Sequence, residues 1–272
     1  MAKLYVVGTP IGNLNDMSPR AVETLSNVDF IAAEDTRVTL KLLNHFDIKK
    51  PMISYHEHNI REKGEYIISR IANGESCAIV TDAGMPCISD PGEDIVKLCH
   101  DNGIELEVVP GPSALIAALA VSGLITSKFV FQGFLTVRKT GRFEELEKLK
   151  NEEKTLIFYE APHKLRATLT DMRSVFGNRQ ISIAREITKI HEEVKRTTLD
   201  EAIAFYENNN PKGEFVLIVE GAEPPKPYDE ITFEQAVEMA RELSDEVGSS
   251  AAAKEISKAT GYKKGDLYKA II

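Results

Sequence analysis

Several residues suited to proton transfer and anion binding follow predicted β-strands. Asp35 and Arg37 follow the second strand, whereas His163 and Arg185 follow strands further along the chain. A carboxylate in such a place can act as a general base, and an arginine can bind an alkoxide or a phosphate. Each has a structural alternative: Asp35 can cap a helix beside a solvated arginine, and His163 can begin a helix near an interface. For Arg185 and Glu186, the alternative is an interdomain salt bridge.

The most informative segment is the sequence VTDAGMPCISDPG at 80–92. It follows an apolar run at 77–80 that predicts a buried strand, and it leads into a helical pattern that begins near Pro91. In open α/β sheets, ligands bind at the carboxyl ends of the strands, where this segment lies. Gly84 allows the backbone to approach a ligand closely, and the prolines restrict the loop. An ordinary connection between a strand and a helix is the alternative.

Two further loops of this kind occur in the first half of the chain. GTPIGNL at 8–14 precedes a helix for which Ser18 is the expected N-cap and Pro19 the first residue. PGPSA at 110–114 follows a strand and opens a helix of small residues. The first loop lacks the Gly-Lys-Ser/Thr of a P-loop and the third glycine of a dinucleotide fingerprint. The recurrence of such loops strengthens the prediction of a ligand site at the strand ends.

The composition predicts a globular protein in a reducing compartment. The chain has 272 residues, 43% of them hydrophobic, and a net charge of −9. This charge provides no general attraction to nucleic acid or to an anionic membrane, although a local basic patch is compatible with it. No apolar run reaches the ~18 residues of a membrane span, and the amino terminus leads directly into a strand without a visible signal peptide. The three cysteines lack a CxxC spacing, so we expect a cytoplasmic protein without a disulfide framework.

The order of the predicted elements indicates an α/β fold. Strands and helices alternate over residues 1–124 and predict a first α/β domain with a largely parallel sheet. A second α/β domain is predicted over 125–222, with a polar loop at 136–142 and a helix that begins at Arg142. Together these elements predict two α/β domains followed by a small helical extension.

The carboxyl-terminal part differs in composition. A proline-rich segment at 221–227 predicts an exposed, semi-rigid linker. Residues 229–272 predict a module of about three short helices, the first capped by Thr232 with Gln235 completing a capping box.

Basic residues concentrate in two segments of this acidic protein. VRKTGR at 137–142 carries three positive charges and no acid, and residues 247–272 carry five lysines against Glu255 and Asp266. These lysines are Lys254, Lys258, Lys263, Lys264 and Lys269. Both segments predict phosphate contacts with RNA. For the tail, a solvated helix face is the alternative.

The sequence YHEHN at 55–59 places His56 and His58 at a spacing that can bind a metal on a strand. No third ligand accompanies them in the sequence, so we predict no metal site. We interpret the segment as a substrate contact, because aromatic and imidazole rings can stack on splayed-out bases.

Taken together, these motifs resemble one known family. The motifs are GTPIGNL at 8–14, AEDTR at 33–37, YHEHN at 55–59, TDAGMPCISDPG at 81–92, PGPSA at 110–114, FYEAPHK at 158–164, AREITK at 184–189 and GEFVLIVEG at 213–221. The chain is similar to the tetrapyrrole-methylase superfamily of S-adenosylmethionine-dependent methyltransferases. It most resembles the bacterial branch that 2′-O-methylates a cytidine of 16S ribosomal RNA. The resemblance is strong over about 1–221 and weaker in the tail.

The resemblance implies a cofactor crevice between the two α/β domains. The residues that it places around S-adenosylmethionine are Pro10, Asp82, Ala83, Gly84, Cys87, Ser113, Ala114, Tyr159, Glu160 and Ile187. It also implies 16S ribosomal RNA within the 30S subunit as partner, and a homodimer. Where tetrapyrrole-making members have a sequence like Gly-Gly-Asp-Pro, this chain has Asp-Ala-Gly-Met, which argues against a corrin or porphyrin substrate.

Methyl transfer to a ribose hydroxyl requires in-line geometry and exclusion of water rather than a metal. Because the 2′-hydroxyl is a poor nucleophile, a side chain should accept its proton. We expect Asp35 in this role, beside Arg37 as an alkoxide or phosphate binder, with Glu160, His163 and Lys189 as competitors. Two other functions stay open: a methyltransferase for a small tetrapyrrole-like molecule, and a ribosome assembly factor with a vestigial cofactor site.

Overall fold

The computed structural model describes residues 2–224 and 231–272. The chain forms one compact unit up to Gly221 and a second from Ala222 onward. Part of the predicted linker and the predicted boundary at 229 fall on 225–230, outside the described residues. The division of the first unit into domains at 124 and 125 stays a prediction, although two separate sheets correspond to its two halves.

The first sheet is entirely parallel, as the alternating strand–helix order predicts. Its strand order is β3-β2-β4-β1-β5. The bounds are β1 Lys3–Val7, β2 Phe30–Ala33, β3 Met52–Ser54, β4 Cys77–Val80 and β5 Glu105–Val109. The sequence analysis missed β3, because it is a half-buried edge strand of only three residues. All strands of this sheet therefore end at the same edge.

Five helices accompany this sheet, with apolar clusters packed on both of its faces. They are α1 Pro19–Asn27, α2 Thr36–His45, α3 Ile60–Ala72, α4 Glu93–Asp101 and α5 Ala114–Val121. Ser18 caps α1 by accepting a hydrogen bond from the Ala21 amide, with Pro19 at the first helical position. This confirms the predicted start of α1.

The second sheet is mixed, with the order β6-β7-β10-β8-β9. Its strands are β6 Phe129–Phe134, β7 Thr155–Glu160, β8 Gln180–Arg185, β9 Glu193–Thr198 and β10 Phe215–Val219. Its helices are α6 Lys139–Leu149, α7 Leu165–Phe176 and α8 Leu199–Asn208. β6 and β7 are parallel, whereas β10 is antiparallel to β7 and β8.

The predicted loop at 136–142 is wrong in its second half, because α6 begins at Lys139. Arg142 is buried in the first turns of this helix, where it donates hydrogen bonds to Asp171 Oδ2 and to the Val137 carbonyl. The prediction that Arg142 contacts phosphate is therefore wrong. A buried guanidinium that already has a carboxylate partner is not accessible to RNA.

The second unit consists of three helices: α9 Phe233–Val247, α10 Ser249–Thr260 and α11 Lys264–Ile271. Thr232 and Gln235 form the predicted capping box at the start of α9. Small side chains and two aliphatic ones form the core of this unit: Ala236, Ala240, Ala253, Ile256 and Leu267. Across the ranges that the structure describes, no helix combines the length and the apolar composition of a membrane-spanning segment.

Candidate active site

A cavity of about 510 Å³ lies at the strand ends of the two sheets of the first unit. The parallel sheet contributes its wall through the loops that follow β1, β4 and β5, and the mixed sheet contributes the ends of β6, β7 and β8 and the start of β10. This volume lies within the range of ligand pockets, about 300–1,000 Å³. The three loops that were predicted to form a ligand site thus line one cavity of suitable size.

Most of the predicted cofactor residues lie in this wall. These are Ala83, Gly84, Ser113, Ala114, Tyr159, Glu160 and Ile187. Pro10, Asp82 and Cys87 do not line the cavity, although Ile11 and Ala83 beside them do. The Cys87 sulfur instead packs beneath Gly92, where an added Cβ would lie 2.6 Å from it. Cys87 therefore supports the backbone of the loop, as a small packing residue would.

Gly84 joins two of the loops. Its amide donates to the Thr9 carbonyl at 3.1 Å, and its carbonyl accepts from the Thr9 amide at 2.9 Å. With a φ of +92°, Gly84 adopts a conformation that side chains rarely allow.

Gly8 and Gly111 join the first loop to the third. An added Cβ on either would come within 3 Å of the other's backbone. Their tight approach, together with the hydrogen bonds of Gly84, holds the three loops as one rigid surface against the cavity.

Unusual backbone conformations concentrate around the cavity. Five non-glycine residues of the described part have φ values between +50° and +69°. Four of them lie in loops that line the cavity, namely Cys87 and Ser89 after β4 and Glu186 and Thr188 after β8; the fifth, Asp47, follows α2. Such conformations cost about 1–3 kcal/mol each and persist where the surrounding structure enforces them. Two loops from opposite walls therefore carry backbone strain, a feature typical of functional sites.

Asp35 and Arg37 lie after β2, outside the cavity wall. Asp35 caps α2 by accepting the Arg37 amide hydrogen bond at 2.8 Å, and its carboxylate pairs with the Arg37 guanidinium at 2.6 Å. This pairing lowers the pKa of Asp35 to about 2. The Arg37 side chain is 87% exposed. The arrangement matches the capping alternative, and the catalytic roles of both residues stay predictions.

Arg185 also lies outside the cavity wall. It donates to the Lys212 carbonyl at 2.8 Å and pairs with Glu193 at 3.2 Å, so its partners belong to the second sheet and its loops. Glu186 pairs with Lys189. Both residues therefore pair within the second half of the first unit, and among the described residues neither forms the interdomain salt bridge that was the alternative.

The acidic and basic side chains in the cavity wall are Asp90, Glu160, His163, Lys189 and Glu214. Glu160 is buried, and its oxygens accept from the Thr168 hydroxyl at 2.5 Å and the Ala161 amide at 2.8 Å. Lys189 bridges Glu186 and Glu214 at 2.8 and 2.9 Å. His163 is exposed. The residue that the sequence analysis missed is Asp90.

Asp90 is half-buried and forms no ion pair with any residue that the structure describes. Burial raises the pKa of Asp90 to about 6, and the neighbouring charges of Glu34 and Asp82 add to the rise. The sequence indicated Asp90 only by its place in the loop after β4, in the middle of ISDPG at 88–92.

Comparisons with known proteins agree with this architecture. Residues 3–203 match the family model of tetrapyrrole (corrin/porphyrin) methylases. The chain belongs to the tetrapyrrole methylase family. It is a methyltransferase of the group whose curated relatives are named ribosomal RNA small subunit methyltransferase I.

The relative of that name from Synechocystis is 53% identical over 82% of this chain and 81% of its own length. That from Halalkalibacterium halodurans is 46% identical over 97% of this chain and 93% of its own. Among solved structures, uroporphyrin-III C-methyltransferase from Thermus thermophilus, in complex with S-adenosylhomocysteine, has a TM-score of 0.58 at 16% identity, over 79% of this chain and 96% of that one. The last comparison supports the tetrapyrrole-methylase fold.

His56 and His58 lie after β3, with their rings 5.8 Å apart. His56 Nδ1 is buried without a hydrogen-bond partner among the described residues, whereas its Nε2 faces the Asn59 amide at 3.3 Å. Within residues 2–224 and 231–272, no group of three or more His, Cys, Asp or Glu side chains is placed to hold a metal ion. The role of this segment in substrate contact stays a prediction.

Proposed function

We propose that this methyltransferase transfers a methyl group from S-adenosylmethionine to the ribose 2′-oxygen of a cytidine in the decoding region of 16S ribosomal RNA. The observation that carries the proposal is the cavity of about 510 Å³, walled by the rigid glycine-joined loops of one sheet and by side chains of the other. The family membership supports the class of reaction, and the names of the curated relatives support small-subunit ribosomal RNA as the substrate.

The cavity wall fits S-adenosylmethionine. Gly84 and Ala83 offer backbone groups without bulky side chains, as close approach to a ligand requires. At the start of α5, Ser113 makes no side-chain cap, so the first amides of the helix are available for an anionic group such as a carboxylate. Tyr159 and Ile187 provide apolar surface on the opposite wall for the adenosine.

When bound, S-adenosylmethionine supplies an electrophilic methyl group on a sulfonium sulfur. The residues of this chain position the acceptor oxygen and exclude water, which favours in-line transfer. Arg37, with its exposed guanidinium in the first turn of α2, would contact a phosphate of the RNA. His163 lies in the wall and Arg185 behind it, where they would orient the substrate side.

Exposed lysines of the second unit would provide phosphate contacts. All five lysines of α10, α11 and the turn between them are exposed, in a unit whose core is formed by other residues. Arg138 and Lys139 at the start of α6 are also exposed and would add contacts from the first unit. We further propose that the substrate is 16S ribosomal RNA within the 30S subunit. We also propose that the enzyme is a homodimer.

The test uses methyl-labelled S-adenosylmethionine with three acceptors: 30S subunits, naked 16S ribosomal RNA and a tetrapyrrole precursor. We expect label in 2′-O-methylcytidine from the subunits, identified by nucleoside mass spectrometry. Label in the tetrapyrrole alone would overturn the proposed substrate. The absence of label from every acceptor would support an assembly factor whose cofactor site is vestigial.

A further inference from the structure

The three carboxylates of the cavity wall differ in their surroundings. Both oxygens of Glu160 accept short hydrogen bonds, from Thr168 and Ala161. Glu214 is 81% exposed on its side chain and pairs with Lys189. Asp90, by contrast, is half-buried and forms no ion pair with a described residue. Its oxygens are thus the least committed to the protein.

The position of Asp90 is set by a strained and supported loop. Ser89, directly before it, has a φ of +63°, and Gly92, two residues later, has a φ of +142° and lies at the N-cap position of α4. Behind the loop, the Thr81 hydroxyl donates to Glu34 Oε2 at 2.6 Å. Neighbouring negative charge and partial burial disfavour an ionised carboxylate, so a proton on Asp90 is retained more readily than on an exposed aspartate.

On the basis of the proposed function, we propose that Asp90 is the general base that accepts the proton of the acceptor 2′-hydroxyl. This assignment replaces Asp35, whose carboxylate is committed to the Arg37 guanidinium and to the α2 cap. Asp35 lies outside the cavity wall, whereas Asp90 lies within it. A base must reach the proton that it abstracts, and geometry comes before pKa in choosing it.

In the transfer step, Asp90 takes the hydroxyl proton as the bond between the 2′-oxygen and the methyl carbon forms. The bond between that carbon and the sulfonium sulfur breaks, and its electron pair stays on sulfur, which becomes a neutral thioether. Asp90 releases the proton to solvent when the product leaves. Charge and atoms balance without any other reactant.

The activity should therefore depend on the ionisation of Asp90. The charged or titratable groups near Asp90 are Glu34, Asp82, Cys87 and Tyr159. Glu160, His163, Lys189 and Glu214 line the same cavity. Burial, Glu34 and Asp82 hold the pKa of Asp90 at about 6. We expect kcat/KM to rise about tenfold per pH unit below about pH 6 and to level off above it.

The experiment compares the wild type with Asp90→Asn, Asp90→Glu, Asp35→Asn and His163→Gln. Each is assayed from pH 5 to 8.5 with labelled S-adenosylmethionine and 30S subunits, and cofactor affinity is measured by calorimetry. We expect kcat of Asp90→Asn to fall ~10²-fold or more, and its pH profile to lose the decrease in kcat/KM below about pH 6, which we call the acidic limb. Cofactor affinity should change by less than about threefold. Asp90→Glu should have a higher kcat than Asp90→Asn, because it restores a carboxylate. His163→Gln should keep the acidic limb of the wild-type pH profile.

Several results would overturn the assignment. If Asp90→Asn kept the rate and the limb, or lost only cofactor affinity at unchanged kcat, Asp90 would not be the base. If the limb vanished in His163→Gln or in Asp35→Asn instead, that residue would hold the role. These failures differ from failure of the proposed function, in which the wild type itself would place no methyl group on a ribose.

Discussion

The strands β2 and β4 are neighbours in one sheet, and the aspartates that follow them, Asp35 and Asp90, have different environments. After β2, Asp35 caps a helix and binds Arg37, so its charge is compensated and its pKa falls to about 2. After β4, Asp90 lies half-buried beside further carboxylates, and its pKa rises to about 6. The comparison indicates that β2 ends in a stabilising, solvated contact and β4 in a reactive one. Substitutions at both ends can break or sharpen this contrast.

The largest effect is expected at Gly84, in the loop after β4. In Gly84→Val, the side chain would extend towards the cavity at a φ of +92°, so we expect affinity for S-adenosylmethionine to fall at least ~100-fold, measured by calorimetry. Gly74→Val is the matched control, because Gly74 has a φ of +103° and open space where its Cβ would lie. Equal losses in the two variants, or unchanged affinity in a folded Gly84→Val protein, would contradict the role of this loop.

A smaller effect is expected at Arg37, after β2. If its exposed guanidinium contacts a phosphate, Arg37→Gln should weaken binding to 30S subunits a few-fold and reduce the log–log salt slope by roughly 0.7–0.9. Calorimetry should show cofactor affinity unchanged. Lys97→Gln is the control, because it also removes one exposed cation, from α4 beside the same sheet. Equal salt slopes for Arg37→Gln and the wild type would leave Arg37 as a solvated partner of its aspartate.

The smallest effect concerns stability, and its sign differs between the two strand ends. Because the folded-state pKa of Asp90 exceeds its unfolded value, its contribution is most favourable below about pH 4 and is lost as pH rises through about 6. Asp90→Asn should therefore raise the midpoint of thermal unfolding at pH 7.5, by about 2–4 °C. The gain should shrink towards zero near pH 4.

Asp35 should behave in the opposite way. Its lowered pKa contributes stability above about pH 4 that is lost as pH falls towards about 2, so Asp35→Asn should lower the midpoint at pH 7.5. Calorimetric scans at pH 4 and pH 7.5 measure both variants side by side. Shifts of the same sign at pH 7.5 would refute the contrast between the two strand ends.

The features that could be predicted from the sequence depend on neighbours along the chain. The caps at Ser18 and Thr232 are formed with partners three residues away, and both are present as predicted. The loops that meet at the cavity could be predicted because parallel strands bring their carboxyl ends to one edge. Gly84 lies in the wall of this cavity with a φ of +92°, and its role towards the cofactor stays a prediction.

The features that could not be predicted depend on distant partners. Arg142 is buried through Asp171, 29 positions away, so its basic neighbourhood in the sequence gave a wrong expectation of exposure. The pKa of Asp90 is raised mainly by burial in the folded protein, and Glu34, 56 positions earlier in the chain, adds to the rise. The sequence allowed Asp35 and Arg37 to be either a catalytic pair or a helix cap beside a solvated arginine. The observed distance of 2.6 Å between their side chains favours the second interpretation.

The most direct test of the account asks which atom receives the methyl group. Reconstituted 30S subunits carrying a 2′-deoxycytidine at the modified position are compared with all-ribose subunits, using labelled S-adenosylmethionine and the wild-type protein. The account predicts label in the ribose subunits, recovered as 2′-O-methylcytidine, and none at the deoxy position. Equal labelling of the deoxy subunits would show that the base is the acceptor and would contradict both the proposed reaction and the role of Asp90.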